Sequence, residues 1–201
     1  MKIFPVIAAI AFAAACSKGD VESRRSDTSV IPPVSVDSAP AAKNCGVTGV
    51  PVLTDEGIGE LRVDRTVPEI AAVCEIVADT MERGTEGMDE HVIVVRIGGD
   101  VVTGLIDGET IRRIQIASPR YRTRDSLGVD TPLAKIAGER GAKFLPGEDG
   151  LYGFTGEHCG LSFRFSIPLR PPVGRDWTVA AITKAHGDAT VDRVLVTRCQ
   201  R

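Results

Sequence analysis

Four cysteines, Cys45, Cys74, Cys159 and Cys199, span the part of this chain that has the composition to fold. Pairing them fixes which stretches must lie together, and four cysteines allow three pairings. Cys45–Cys74 with Cys159–Cys199 is favoured, because each bridge then closes one half of the chain. On the loop-entropy estimate each would stabilise by ~3–4 kcal/mol. No CxxC occurs, so neither a thioredoxin-type redox pair nor a zinc ribbon is indicated.

Bridges of this kind need an oxidising compartment, and the N-terminus points to export. Met1-Lys2 is a minimal positive region, and Ile3–Ala15 is an apolar stretch ending in small residues before Cys16. At ~1.5 Å per residue that stretch reaches only ~20 Å, short of the ~30 Å hydrocarbon core, so it does not read as a membrane span. Ala13-Ala14-Ala15 satisfies an ordinary small-x-small signal. With Cys16 it also resembles the bacterial lipobox, in which the cysteine is acylated and becomes the mature N-terminus; Ala13 stands where that motif usually carries Leu. Parity favours lipidation. Five cysteines leave one odd thiol outside the cell, whereas an acylated Cys16 leaves an even four. Ser17 after the cysteine favours the outer membrane, by resemblance to enteric lipoproteins.

Ser17–Asn44 is rich in Ser, Asp, Ala and Pro, lacks aromatics and has no apolar period. Such a stretch cannot bury enough surface to offset its ordering entropy, and as a flexible coil it reaches ~30 Å root-mean-square. The expected organisation is a signal peptide at 1–15, a lipidated disordered tether at 16–44, and folded units at 45–120 and 121–201.

The division into two units rests on an internal repeat. Leu61-Arg62-Val63-Asp64 and Leu127-Gly128-Val129-Asp130 match at a spacing of 66, and Val67, Ile70 and Ala71 meet Leu133, Ile136 and Ala137. Each segment runs into a helix start. Thr66-Val67-Pro68-Glu69 fits a capping box, and Thr131 is the expected cap before Pro132. Strands are expected at His91–Ile97, Val101–Ile106 and Thr110–Ala117, joined by Gly98-Gly99-Asp100 and Asp107-Gly108 turns. They recur at Leu151–Thr155, Cys159–Ile167 and Thr190–Arg198. Ile111-Arg112-Arg113-Ile114-Gln115-Ile116 resembles Val191-Asp192-Arg193-Val194-Leu195-Val196 at a spacing of 80, and Pro168–Gly187 reads as an insertion with a helix capped by Asp176. With aromatics at 4% of the chain, β-branched residues and Leu must build the core. The expected fold is α+β, a tandem repeat of two helix-on-antiparallel-sheet units.

Gly57-Ile58-Gly59-Glu60-Leu61-Arg62-Val63 followed by Thr66-Val67-Pro68-Glu69-Ile70 resembles the opening of small outer-membrane lipoproteins of the SmpA/OmlA kind, whose fold is shared by tandem β-lactamase-inhibitor-protein-like (BLIP-like) domains. This chain has Asp64-Arg65 where those families usually carry Gly-Met. The resemblance implies a protein-binding or assembly role and carries over no catalytic residue.

Signatures of chemistry are missing from the sequence. His91, His158 and His186 are scattered, with no HExxH or paired-His spacing. Gly160-Leu161-Ser162-Phe163 lacks the second glycine of a nucleophile elbow, and Gly57-Ile58-Gly59 lacks the third of a dinucleotide fingerprint. His158-Cys159 is the one pair to weigh as a thiol nucleophile, and a bridged Cys159 would be closed to that role. No catalytic residue, metal or cofactor is expected, and the chain is not expected to be an enzyme.

Arg120-Tyr121-Arg122-Thr123-Arg124, if extended, places Arg120, Arg122 and Arg124 on one side, a candidate contact for an anion or a partner. The plainer reading is a solvated stripe paired with the acidic stretch Asp79, Glu82, Glu86, Asp89, Glu90. A formal net charge of −3 argues against nucleic acid as a partner. Trp177 reads as a core or helix-packing residue. The expected function is a non-catalytic envelope lipoprotein, anchored to the outer membrane and facing the periplasm, that binds an envelope protein. The alternatives are an inhibitor of a secreted hydrolase and an enzyme with an unrecognised site.

Overall fold

The structure, a computed structural model, describes residues 43–84, 87–167 and 178–199. The signal stretch, Cys16, most of the tether, Glu86, Asp176 and Trp177 lie outside those residues. Beyond Cys45 the chain first makes a small antiparallel sheet of β1 (Leu53–Thr54), β2 (Gly57–Ile58) and β3 (Leu61–Arg62). Gly57, at φ 147°, makes the sheet possible, because a Cβ there would lie 2.0 Å from the Leu61 carbonyl oxygen. Leu53, Ile58 and Leu61 face inward and are buried. The capping box then forms as the sequence predicts: the Glu69 carboxylate accepts from the Thr66 amide at 2.8 Å and starts α1 (Val67–Val73). That amide, and then the Thr66 hydroxyl, hold the Glu69 carboxyl below its ordinary value.

Ten further elements follow: β4 (Glu75–Arg83), β5 (Asp89–Ile97), β6 (Asp100–Asp107), β7 (Thr110–Ile116), α2 (Leu133–Gly138), β8 (Lys143–Gly147), β9 (Gly150–Phe154), β10 (Leu161–Phe165), α3 (Val179–His186) and β11 (Val191–Thr197). The strands form one eight-stranded sheet in the order β4-β5-β6-β7-β11-β10-β9-β8, with every neighbouring pair antiparallel. Cross-strand register sorts the side chains. Ile114 opposes Val196, Ile116 opposes Val194, and Phe163 opposes Val194 and Gly153, so one face is a continuous apolar layer. The helices lie over this face. Gly153 leaves room for them, since a Cβ there would sit 3.0 Å from Ile136 Cγ2 and from Phe144 Cε1.

Two separable helix-on-sheet units are not what the chain forms. Among the described residues 48% are strand and 14% helix, and the large sheet runs unbroken from β4 to β8. The join is β7–β11. Split there, each part would expose an edge strand carrying Ile114 and Ile116 or Val194 and Val196, all of them fully buried in the joined sheet. The repeat survives as a recurring connection. Asp64 and Asp130 take φ 68° and 66°, and their amides donate to the carbonyls of Ile111 (2.8 Å) and Val191 (2.7 Å), within the first two residues of the matching strands. Two copies of such a connection need only one body.

Local details also differ from expectation. Pro132, not Thr131, is the residue before α2, and the Thr131 hydroxyl instead accepts from the Gly128 amide at 3.0 Å. Thr178 caps α3, accepting from the Ala181 amide at 3.2 Å. The sequence pattern predicts no strand at Glu75–Arg83 or Lys143–Gly147, where β4 and β8 form.

Both favoured bridges are present, Cys45–Cys74 within the core and Cys159–Cys199 near the surface. Tyr121 is fully buried and its hydroxyl donates to the Ile97 carbonyl, tying the connection after β7 to the end of β5. Burial, and after it Asp100, push the Tyr121 hydroxyl pKa up. Tyr121→Phe keeps the ring and deletes the bond, so urea denaturation should register a loss of about 1–2 kcal/mol with an unchanged m-value.

Candidate functional site

The arginine stripe has the predicted alternation, with Tyr121 and Thr123 buried and Arg120, Arg122 and Arg124 outward or half-buried. Two of its guanidiniums serve the backbone. Arg120 donates to the Gly98 carbonyl at 2.8 Å and stands 3.7 Å from Asp100. Arg122 donates to the carbonyls of Val129 at 2.9 Å and Ser126 at 3.2 Å, and to the Thr131 hydroxyl at 3.3 Å, holding the loop that leads into α2. Arg124 is exposed, and no ion pair or hydrogen bond engages it among the described residues. Of the acidic stretch, Asp79 contacts His91 at 2.6 Å rather than the stripe.

His158 and Cys159 lie in the loop between β9 and β10, not on a strand. The His158 ring bridges two carboxylates, with Nε2 3.1 Å from both Asp125 oxygens and Nδ1 3.4 Å from Asp55. Asp125 feels burial raising its pKa, but hydrogen bonds from Thr123 and His158 outweigh that and hold it below the ordinary value. Asp55 Oδ2 is also 3.8 Å from Cys159 Sγ. Asp55, Cys159 and Cys199 bring potential metal-ligand atoms within 4.8 Å of one another, but the disulfide ties up both sulfurs. A cavity of about 440 Å³ beside the bridge is walled by Asp55, Glu56 and the Asp64–Arg198 ion pair. The cluster joins three chain segments, and its histidine addresses carboxylates instead of a nucleophile.

The second face of the large sheet carries the more developed site. Register places Arg113 opposite Leu105 and Thr197, Gln115 opposite Leu195, and Arg164 opposite both Arg193 and Tyr152, so these polar side chains share that face. The face is concave. In a flat sheet β4 and β8 would stand about 34 Å apart, seven spacings of ~4.8 Å. Here Glu82 from β4 and Glu148 and Asp149 from the β8–β9 turn line one groove of about 420 Å³ with Arg113, Gln115, Arg193 and Leu195. The sheet therefore curls until its two edges share a cavity at one end.

Charge in the groove is mixed: Arg113 and Arg193 stand on the central strands, Glu90 on β5 pairs with Arg113 at 3.7 Å, and Glu82, Glu148 and Asp149 line the edges together with Arg83. Arg164, with its side chain 14% exposed, is paired with two carboxylates through all three nitrogens: Nε donates to Asp192 at 3.0 Å, Nη2 donates to the other Asp192 oxygen at 2.5 Å, and Nη1 reaches Asp149. Those carboxylates, Asp192 first, raise its pKa further. Burial and the 2.5 Å bond to Asp149 push the Tyr152 hydroxyl to about 12. Burial raises the Asp149 carboxyl, and the bonds from Tyr152 and Arg164 outweigh it, leaving Asp149 below its ordinary value.

The sequence pattern does not mark Arg113 and Arg193 as candidate contacts. The signal was present, since they are the arginines at matching positions of the two similar strands, Ile111–Ile116 and Val191–Val196. Sequence pattern alone does not reveal that those strands lie side by side.

No family model matches the chain, and no curated protein matches it. Among solved structures it is similar to the uncharacterized protein yfeY from Escherichia coli, at 18% identity with a TM-score of 0.54, over 73% of this chain and 99% of that one. At that identity the likeness concerns the fold alone.

Proposed function

We propose that this chain is a non-catalytic binding protein of a bacterial-type cell envelope, held at the outer membrane on the periplasmic side through acylated Cys16. Its groove on the concave sheet face receives a partner protein. The observation that carries the reading is the groove itself: a cavity across several strands with Arg113 and Arg193 on its floor and three carboxylates, with Arg83, at its edges. Charge arranged in this way favours orientation and selectivity toward a complementary partner. The two disulfides accord with an exported chain. The hydrolase-inhibitor alternative drew on the tandem fold, and without that fold it has no separate support.

The test places a photoreactive amino acid at Leu195, in the groove, and at Lys184, on α3, in cells making the full chain. A discrete crosslinked partner from position 195 and none from 184 supports the reading. Equal labelling from both positions, or none from 195, overturns it. Mass spectrometry of the mature protein tests the anchor in parallel. Acyl chains on Cys16 support it, whereas an unmodified Cys16 at the mature N-terminus would mean ordinary cleavage.

A further inference from the structure

We infer that Arg113 and Arg193 together form a receptor for a carboxylate, an acidic side chain or a C-terminus, on the polypeptide that enters the groove; the inference rests on reading that groove as a partner-binding surface. Arg164 provides an internal standard. Its guanidinium meets two aspartates, which is how a part-buried arginine is satisfied in this sheet. The two groove arginines are not satisfied in that way. Arg113 has one loose ion pair, Nη2 to Glu90 Oε1 at 3.7 Å, and no hydrogen bond among the described residues; its Nε is buried without an acceptor, so the terminal Nη groups are the donors it can offer to a ligand. Arg193 has one acceptor, the neutral Gln115 Oε1 at 3.1 Å, and no carboxylate among the described residues.

A part-buried charge with open donors is unfavourable unless something supplies acceptors, and buried polar groups are seldom left without partners. A carboxylate matches the guanidinium fork bidentately, in a way that a water or an amide does not. The rim selects the carrier. Glu82, Glu148 and Asp149, three carboxylates against the one edge cation Arg83, would repel a free, multiply charged anion approaching the floor. A peptide brings its carboxylate among neutral amides and can offer a lysine to the rim, while Leu195 and the Tyr152 ring give its aliphatic groups a surface. The fit is therefore to a peptide pairing an acidic group with a nearby basic one.

The experiment follows the arginine Nε–Hε NMR signals of the full mature chain in detergent, with both bridges intact. Four probes are added in turn: a lysine-flanked glutamate peptide with an amidated end, its glutamine counterpart with a free C-terminus, the same glutamine peptide amidated, and inorganic phosphate. The Arg113 and Arg193 signals should move with one or both carboxylate peptides and stay with the carboxylate-free one, and the pair of peptides tells side chain from C-terminus. Arg113→Met and Arg193→Met should each weaken binding by about tenfold or more, Arg113→Lys should weaken it less, and Lys184→Met should change nothing. Equal binding of carboxylate-free and carboxylate peptides, full affinity in Arg113→Met, or a response to phosphate alone would overturn the proposal. The wild-type shifts keep the test valid even if a variant folds poorly. A partner that crosslinks from Leu195 with undiminished yield in Arg113→Met cells would sink the carboxylate receptor and leave the binding-module reading intact. A peptide titration that succeeds where no partner crosslinks would do the reverse.

Discussion

Phe163→Ala should cost about 3–5 kcal/mol and should loosen β5 and β9 in the same transition. Phe163 is fully buried on β10, opposite Val194 on one side and Gly153 on the other. Truncating it opens a void under strands that the neighbouring helices, tied to their own contacts, can only partly refill. For a domain with a typical total of 5–15 kcal/mol, that loss is a large share of the whole. The distinguishing feature is its reach. Ile114 and Ile116 belong to β7, yet they oppose Val196 and Val194, so the layer that Phe163 supports continues across the seam. Hydrogen exchange at rising urea should therefore show amides of β5–β7 and of β9–β11 losing protection together. Two transitions, with β5–β7 unaffected by the substitution, would mean that the seam is too weak to make one cooperative sheet.

Much of that sheet is legible in the sequence, and what was missed has a physical cause. Strands β5, β6 and β7 announce themselves through β-branched runs punctuated by Gly98-Gly99 and Asp107-Gly108, and the register pairs Ile97 with Asp100 and Asp107 with Thr110 across those turns. Strand β4 gives no such signal. As an edge strand it is exposed along nearly its whole length, so Glu75–Arg83 has no apolar alternation to read. Strand β8 is the other edge, and Phe144 is its only buried residue. Hydrophobic period reports burial on one face, and edge strands have little of it.

The groove was harder still to foresee. Arg113 and Arg193 look like ordinary outward residues on their own strands, and their meaning comes from the β7–β11 pairing and from a curl that brings Glu82 and Asp149 to the same cavity. The arginine stripe was easier to see because period two is local. Its chemistry was not local: Arg120 and Arg122 direct their donors to carbonyls of Gly98, Ser126 and Val129. A charge run in sequence says that arginines are near one another, and only the fold says which of them still has donors to offer.

Opening the two disulfides should have unequal consequences, in both rate and stability. Cys45 is 0% and Cys74 1% exposed, whereas Cys159 is exposed and Cys199 half-buried. Thiol exchange needs a thiolate in line with the bond, so mild reductant under native conditions should open Cys159–Cys199 first. The attacked sulfur is predictable as well. Asp55 lies near both sulfurs, so access decides: Cys159 is the exposed one and Cys199 is half-buried, and the reductant should be caught as a mixed disulfide on Cys159. Alkylation and peptide mapping over time would measure this order, and early labelling of Cys45 or Cys74 would contradict it. With sequence separations of 29 and 40, the loop-entropy loss is similar for the two bridges, about 3.5–4 kcal/mol each. The Cys45→Ala/Cys74→Ala pair adds a core void to that loss and should be the less stable double variant by a further 1 kcal/mol or so. Cys159→Ser/Cys199→Ser places its new hydroxyls where water reaches them and should lose little beyond the entropy. Urea midpoints of the two variants compare these costs directly, and equal midpoints would mean that the buried bridge contributes nothing to core packing.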